Sequence, residues 1–241
     1  MKIFELVHDD LVPAPLKTYA DSILFYEFGR SAPQGKLFEI GVGGSTYLML
    51  QLAEELAVPF YLCDVDQSKI DEYMKWQHHW HCAEIHILNE DSDEIELNEK
   101  FVYLHLDGSH TYNKTINSIN WSINHSKENG LICIDDYGNN KHPEVTRATH
   151  DLIQQNIVKM IMVGDSSCWV TTPEYYEHWL NVIENKMTGY IKDLLGISWV
   201  KPGKYYYRHA HHAKPVETEL HNYNSNRYLQ MPYPEQTDIM R

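Results

Sequence analysis

Three carboxylates close two apolar runs of this sequence: Asp107 follows FVYLHL, and Asp135 and Asp136 follow LICI, 28 and 29 positions later. If those runs are neighbouring strands, the three side chains converge above one sheet edge, where they repel unless a cation or a proton joins them. An all-oxygen set of this kind suits a hard divalent ion such as Mg²⁺, with positions left open for water or substrate oxygens. The alternative is that Asp135 and Asp136 serve only as turn or capping residues. A second constellation lies upstream in FEIGVGGST, where Glu39, Gly41, Gly43 and Gly44 precede a helix opening at Ser45 or Thr46. Glycines permit positive φ and close backbone approach, and the free N–H groups of a helix start attract a carboxylate or phosphate. Asp64 ends the next apolar run 21 residues after Gly43, where a carboxylate can accept hydrogen bonds from ribose hydroxyls. Together these describe a site for a nucleoside-type cofactor. An NAD-type oxidoreductase is disfavoured, because Thr46 stands where a dinucleotide fingerprint carries its third glycine or alanine.

The elements that must position these groups alternate along the chain. Strands are predicted at Leu37–Gly41, Phe60–Asp64, Glu84–Leu88, Phe101–Asp107, Gly130–Asp135, Val158–Val163 and Cys168–Thr172. Helices are predicted at 16–30, 46–57, 68–77, 111–127, 144–155 and 173–195, several opened by Ser, Thr or Pro. This is an α/β pattern: a Rossmann-like, mostly parallel seven-stranded sheet with helices on both faces, and ligands beyond the carboxyl ends of the strands. The organisation expected is an N-terminal helical segment over residues 1–35, a cofactor-binding core over 36–172, and a C-terminal helix with a His/Tyr-rich tail over 173–241.

The combination EIGVGGS, DGSHTY and IDDY resembles the class I S-adenosylmethionine-dependent methyltransferases, and within them the metal-dependent O-methyltransferases acting on sugar hydroxyls of macrolide and aminocoumarin antibiotics. The resemblance spans roughly residues 36–172. It implies that Glu39, Gly41, Gly43, Gly44 and Ser45 hold the methionine part of S-adenosylmethionine, that Asp64 binds its ribose, and that Asp91 or Ser92 contacts its adenine. It further implies Mg²⁺ on Asp107, Asp135 and Asp136, and His110 as general base beside Asp107. The helix after DGSHTY lacks the acidic residue expected near Asn117–Asn120, and the tail matches no known pattern. The activity implied is Mg²⁺-dependent O-methylation of a small molecule. The rival readings are the NAD-type oxidoreductase and a degenerate relative serving as a binding subunit.

Composition narrows the partners. A net charge of −14 repels phosphate backbones and anionic lipid heads, so neither nucleic acid nor a membrane surface is expected. The expected partner is a small acceptor with a hydroxyl group, and a homo-oligomer is left open. The N-terminus MKIFELVHDD offers no apolar stretch for export, which points to the cytoplasm. Cys63, Cys82, Cys133 and Cys168 lack CxxC spacing and read as buried free thiols. The clusters at His78, His79 and His81 and at His209, His211 and His212 lack ligand pairs at i, i+4 on a confident helix and read as exposed or capping histidines. Tyr205–Tyr207 would either line an acceptor or pack the tail onto the core.

Overall fold

The computed structural model describes residues 19–75, 84–164, 166–187 and 205–206. Strand β4 (Phe101–Leu106) is buried at every position, and β1 (Lys36–Ile40) at all but its first. Such runs are what central parallel strands require when helices cover both faces. Around them lie β2 (Phe60–Cys63), β3 (Ile85–Leu88), β5 (Ser126–Asp135), β6 (Lys159–Val163), β7 (Ser167–Thr171) and the two-residue β8 (Tyr205–Tyr206), in the order β3-β2-β1-β4-β5-β7-β6-β8. All pairings are parallel except those of β7, which runs antiparallel to both β5 and β6. The seven strands read from the sequence are present, and β8 adds an eighth at the edge beside β6.

The helices are α1 (Tyr19–Ser31), α2 (Gly44–Leu56), α3 (Gln67–Met74), α4 (Tyr112–His125), α5 (Pro143–Gln154) and α6 (Tyr176–Val182). Strand alternation sends Phe60 and Leu62 to one face of the sheet, against α1, α2, α3 and α6. Tyr61 and Cys63 go to the other face, against α4 and α5. Helix α1, within the N-terminal segment, contributes Leu24, Phe25, Tyr26 and Phe28 to the first of these cores. Within it, Phe28 of α1 stacks on Trp169 at 5.0 Å, and the Tyr103 hydroxyl donates to the Phe25 carbonyl at 3.0 Å. The start of α1 is also tied down, as Asp21 accepts from the Ser166 N–H at 2.9 Å.

Two boundaries differ from the sequence expectation. Helix α4 stops at His125, and β5 begins at Ser126, four residues early, because Ser126 pairs with Phe101 before the register shifts to Leu131 opposite Tyr103. The shift is accommodated at Asn129, whose φ of 59° is left-handed and whose carbonyl accepts from Trp179 Nε1 at 3.2 Å. The helix expected over 173–195 opens as a 3₁₀ turn at Pro173–Tyr175, continues through α6 and widens into a π-helical turn at Ile183–Met187. No helix among the described residues is long and apolar enough to cross a membrane. Cys63, Cys133 and Cys168 are buried free thiols; Cys82, both histidine clusters and Tyr207 lie outside the described residues.

Candidate active site

The glycine turn is built against the exit of β4. Gly41 has φ 91°, and a Cβ there would lie 1.9 Å from the Asp107 carbonyl oxygen, so only glycine fits. Backbone bonds lock the approach: Gly41 N–H donates to Cys63 O and Asp107 N–H to Ile40 O, each at 2.8 Å. Thr46 has its own reason for standing in the third glycine's place. Its hydroxyl accepts from Gly43 N–H at 3.0 Å while its N–H donates back to Gly43 O, a reciprocal cap on α2.

Glu39 does not face outward. It is fully buried, with Oε1 accepting from Ser45 Oγ at 2.7 Å and lying 2.9 Å from His105 Nδ1, so it and Ser45 bind the turn to β4 from beneath. Asp64 is buried as well; its Oδ2 accepts from Val42 N–H at 2.7 Å and its Oδ1 from Asp66 N–H at 2.8 Å. Each oxygen keeps a lone pair for a further donor.

Gly41, Asp64, Asp91, Ser92 and Asp107 meet around one open cleft of about 260 Å³, which Lys114 also lines. Gly43, Gly44 and Ser45 are not among the residues that line it. Lys114, near the start of α4, was not singled out from the sequence. Its ammonium lies 2.7 Å from Asp91 Oδ1 and 2.5 Å from Asp93 Oδ2, fixing the loop after β3, and the Asp91 carboxyl is held below its usual range by that hydrogen bond. Cys63 also lines the cleft, but burial pushes its thiol up to about 12, which makes it a poor nucleophile.

Beyond Asp107 lies a second cluster. Asp107 Oδ1 is 3.5 Å from His110 Nε2, and Asp136 Oδ2 is 2.8 Å from the same nitrogen. His142, the residue preceding α5, stacks on His110 with ring centroids 4.0 Å apart, its Nε2 lying 3.6 Å from Asp136 Oδ2. The Asp107 carboxylate above all, then Asp136 and Asp135, hold the His110 imidazole above its ordinary value against the opposing effect of burial. Asp136 has φ 56°, a left-handed conformation sparsely used by non-glycine residues.

The three carboxylates assigned to Mg²⁺ on sequence are not gathered as a set. Asp135 turns to β7, where its Oδ1 accepts from Ser167 Oγ at 2.9 Å. Among the described residues, the group whose ligand atoms all lie within 4.8 Å of one another is His110, Asp136 and His142. Two imidazoles and one carboxylate are not the all-oxygen set that Mg²⁺ prefers. His142 was missed because it stands 32 residues beyond His110; the available signal was His142-Pro143, a helix start that brings the chain back beside the end of β5.

Residues 38–137 match the family model described as "Methyltransferase domain". No curated protein matches the chain. Among solved structures, the O-methyltransferase NovP superposes with a TM-score of 0.53 at 12% identity, covering 64% of this chain and 79% of that one. The SAH-bound Podospora anserina methyltransferase PaMTH1 gives 0.53 at 9% identity, over 65% and 80%. CalS11, a TDP-rhamnose 3'-O-methyltransferase of calicheamicin biosynthesis, gives 0.52 at 12% identity, over 70% and 86%. At these identities the structures speak to the fold alone. The family match takes in the glycine turn, Asp64, Asp107, His110 and Asp136 and stops five residues short of His142, and the fold shared with the solved structures is a Rossmann-like, mostly parallel sheet with helices on both faces.

Proposed function

We propose that this protein transfers the methyl group of S-adenosylmethionine to a hydroxyl of a small molecule, with sugars and natural-product glycosides first among the acceptors. The observation that carries the reading is the position of Asp107, which lines the cleft with Gly41, Asp64, Asp91 and Ser92 and also stands beside His110. A cofactor site and a proton acceptor thus share one residue. Support for an oxygen acceptor comes from NovP and CalS11, and the net charge of −14 disfavours a nucleic-acid acceptor.

In the proposed reaction the acceptor oxygen attacks the sulfonium methyl nearly in line. The O–CH₃ bond forms as the S–CH₃ bond breaks, and adenosylhomocysteine leaves. Asp64 holds the ribose, the Gly41 turn admits the cofactor's backbone, and the Lys114–Asp91 pair holds the adenine loop in place. The hydroxyl proton passes to His110 Nε2, whose basicity is raised by the carboxylates around it.

Calorimetry with adenosylhomocysteine tests the cofactor assignment. The parent protein is expected to bind it, and Asp64→Ala to bind at least about tenfold more weakly, a loss of ~1.4 kcal/mol. Unchanged binding by the variant, or binding of NAD in its place, overturns the assignment. Transfer of a labelled methyl to a panel of sugar nucleotides then tests the acceptor class.

A further inference from the structure

The groups that meet beyond Asp107 come from three separate segments: His110 from the turn after β4, Asp136 from the end of β5, and His142 from the residue that opens α5. Asp136 is oriented for the meeting. Its Oδ1 accepts from Asn139 Nδ2 at 2.6 Å, leaving Oδ2 for the two imidazoles at 2.8 and 3.6 Å. The side chains of His110, Asp136 and His142 are 33%, 18% and 34% exposed, so solvent or a substrate oxygen can reach the cluster. Ligands about 2.1 Å from one ion stand roughly 3.0 Å apart at a right angle and roughly 3.4 Å apart at a tetrahedral angle. The observed separations bracket those values.

We infer that His110, Asp136 and His142 form a binding site for a first-row divalent transition ion of the Mn²⁺, Fe²⁺, Co²⁺ and Zn²⁺ class, in preference to Mg²⁺, with Asp107 as a fourth group at its edge. Imidazole nitrogen suits these borderline ions, whereas Mg²⁺ takes carboxylate, carbonyl and water oxygens. Asp135, which is not among the three grouped residues, accepts from Ser167 Oγ at one of its oxygens. Within the class, affinity should rise from Mn²⁺ through Fe²⁺ to Co²⁺. This site goes beyond the methyl-transfer reading and does not depend on it. An ion seated there would occupy the His110 lone pair that takes the proton in the methyl-transfer reading, so that reading applies to the ion-free form of the protein.

The test is a Co²⁺ titration of the full chain, stripped with a chelator and followed by the visible ligand-field bands of the bound ion. The expected result is a saturable band at one equivalent that Zn²⁺ displaces and a large excess of Mg²⁺ does not. His142→Ala and Asp136→Asn should each weaken Co²⁺ binding by more than the roughly 10–100-fold that loss of an outer-sphere partner costs. The variant carrying His209→Ala, His211→Ala and His212→Ala together should leave the band unchanged. A band that survives His142→Ala and Asp136→Asn, or that Mg²⁺ displaces at equal concentration, overturns the site. Thermal unfolding identifies a misfolded variant, and His142, at a partly exposed position, is the substitution least disturbing to the fold. Adenosylhomocysteine calorimetry on the same stripped protein separates the two proposals: cofactor binding without a cobalt band removes the metal site alone, and a cobalt band without cofactor binding removes the cofactor reading alone.

Discussion

The two halves of the site are built from different materials. At the ends of β1 and β2 the cofactor turn is made of backbone. Gly41, Val42, Gly43 and Asp66 donate their N–H groups to fixed acceptors, and the charged side chains Glu39 and Asp64 are buried to receive or brace them. At the ends of β4 and β5 the second cluster is made of partly exposed side chains, with Asp136 in a left-handed conformation. A turn built of backbone tolerates few residues and has one geometry. A cluster built of side chains can change its charge, protonation and ligands without refolding.

The most damaging way to break the first half is to add one carbon. Gly41→Ala places a Cβ against the Asp107 carbonyl at a left-handed φ, and a loss on the order of 4 kcal/mol is expected. Urea denaturation measures it, and an alanine variant as stable as the parent would show that the β1 and β4 exits can separate. The second half should fail in function while keeping its fold. His110→Ala should lower methyl transfer by ~10²–10⁴-fold in single turnover and leave adenosylhomocysteine binding intact. A retained rate removes His110 from the proton path.

A buried contact next to the cluster responds to pH. Tyr137, next to Asp136, meets His150 of α5, its hydroxyl 2.7 Å from Nε2 in a buried contact. Burial pushes His150 down from 6.5 to about 4, so the fold keeps this ring neutral while the unfolded chain takes up a proton. Its stabilising contribution is therefore present above pH 6.5 and lost as pH falls towards 4, an expected decline of about 3 kcal/mol. His110, held above its ordinary value, acts in the opposite sense, its contribution being present at low pH and lost as pH rises through the raised value. Denaturation from pH 7 to 4 in the parent and in His150→Gln isolates the first effect, and equal pH slopes in the two proteins would discount it. The smallest expected change returns to the turn. Thr46→Val keeps the shape but removes the acceptor of Gly43 N–H, at a cost of about 1 kcal/mol by the same denaturation assay.

This division also explains what could be read in advance. Gly41 and Asp64 announce themselves because a positive φ and a strand-end carboxylate demand particular residue types at a set spacing, and the apolar runs of β1 and β4 leave little choice of element. The groups acting through their neighbours were not legible. Glu39 reads from the sequence as a cofactor residue, while its ties to Ser45 and His105 through Oε1 needed the structure, which leaves Oε2 buried without a hydrogen-bond partner. Asp135 and Asp136 look equivalent until β7 brings Ser167 alongside the first and the backbone turns left-handed at the second. The early start of β5 was hidden by the unbroken polar run Ser126–Asn129, and Lys114 by its place among the polar residues of α4.

The segment from Asp136 to His142 closes on itself. Asn139 ties back to Asp136 through both backbone and side chain, Lys141 and His142 donate to Asn139, and Gly138 donates to Thr146 Oγ1 at 2.8 Å. Its shape is carried by its own seven residues and the first turn of α5, with no bond to the cofactor turn among these. Such a loop is a self-contained module: its length and its ligands can be altered, and with them the chemistry at the mouth of the cleft, without touching the bonds that shape the cofactor turn.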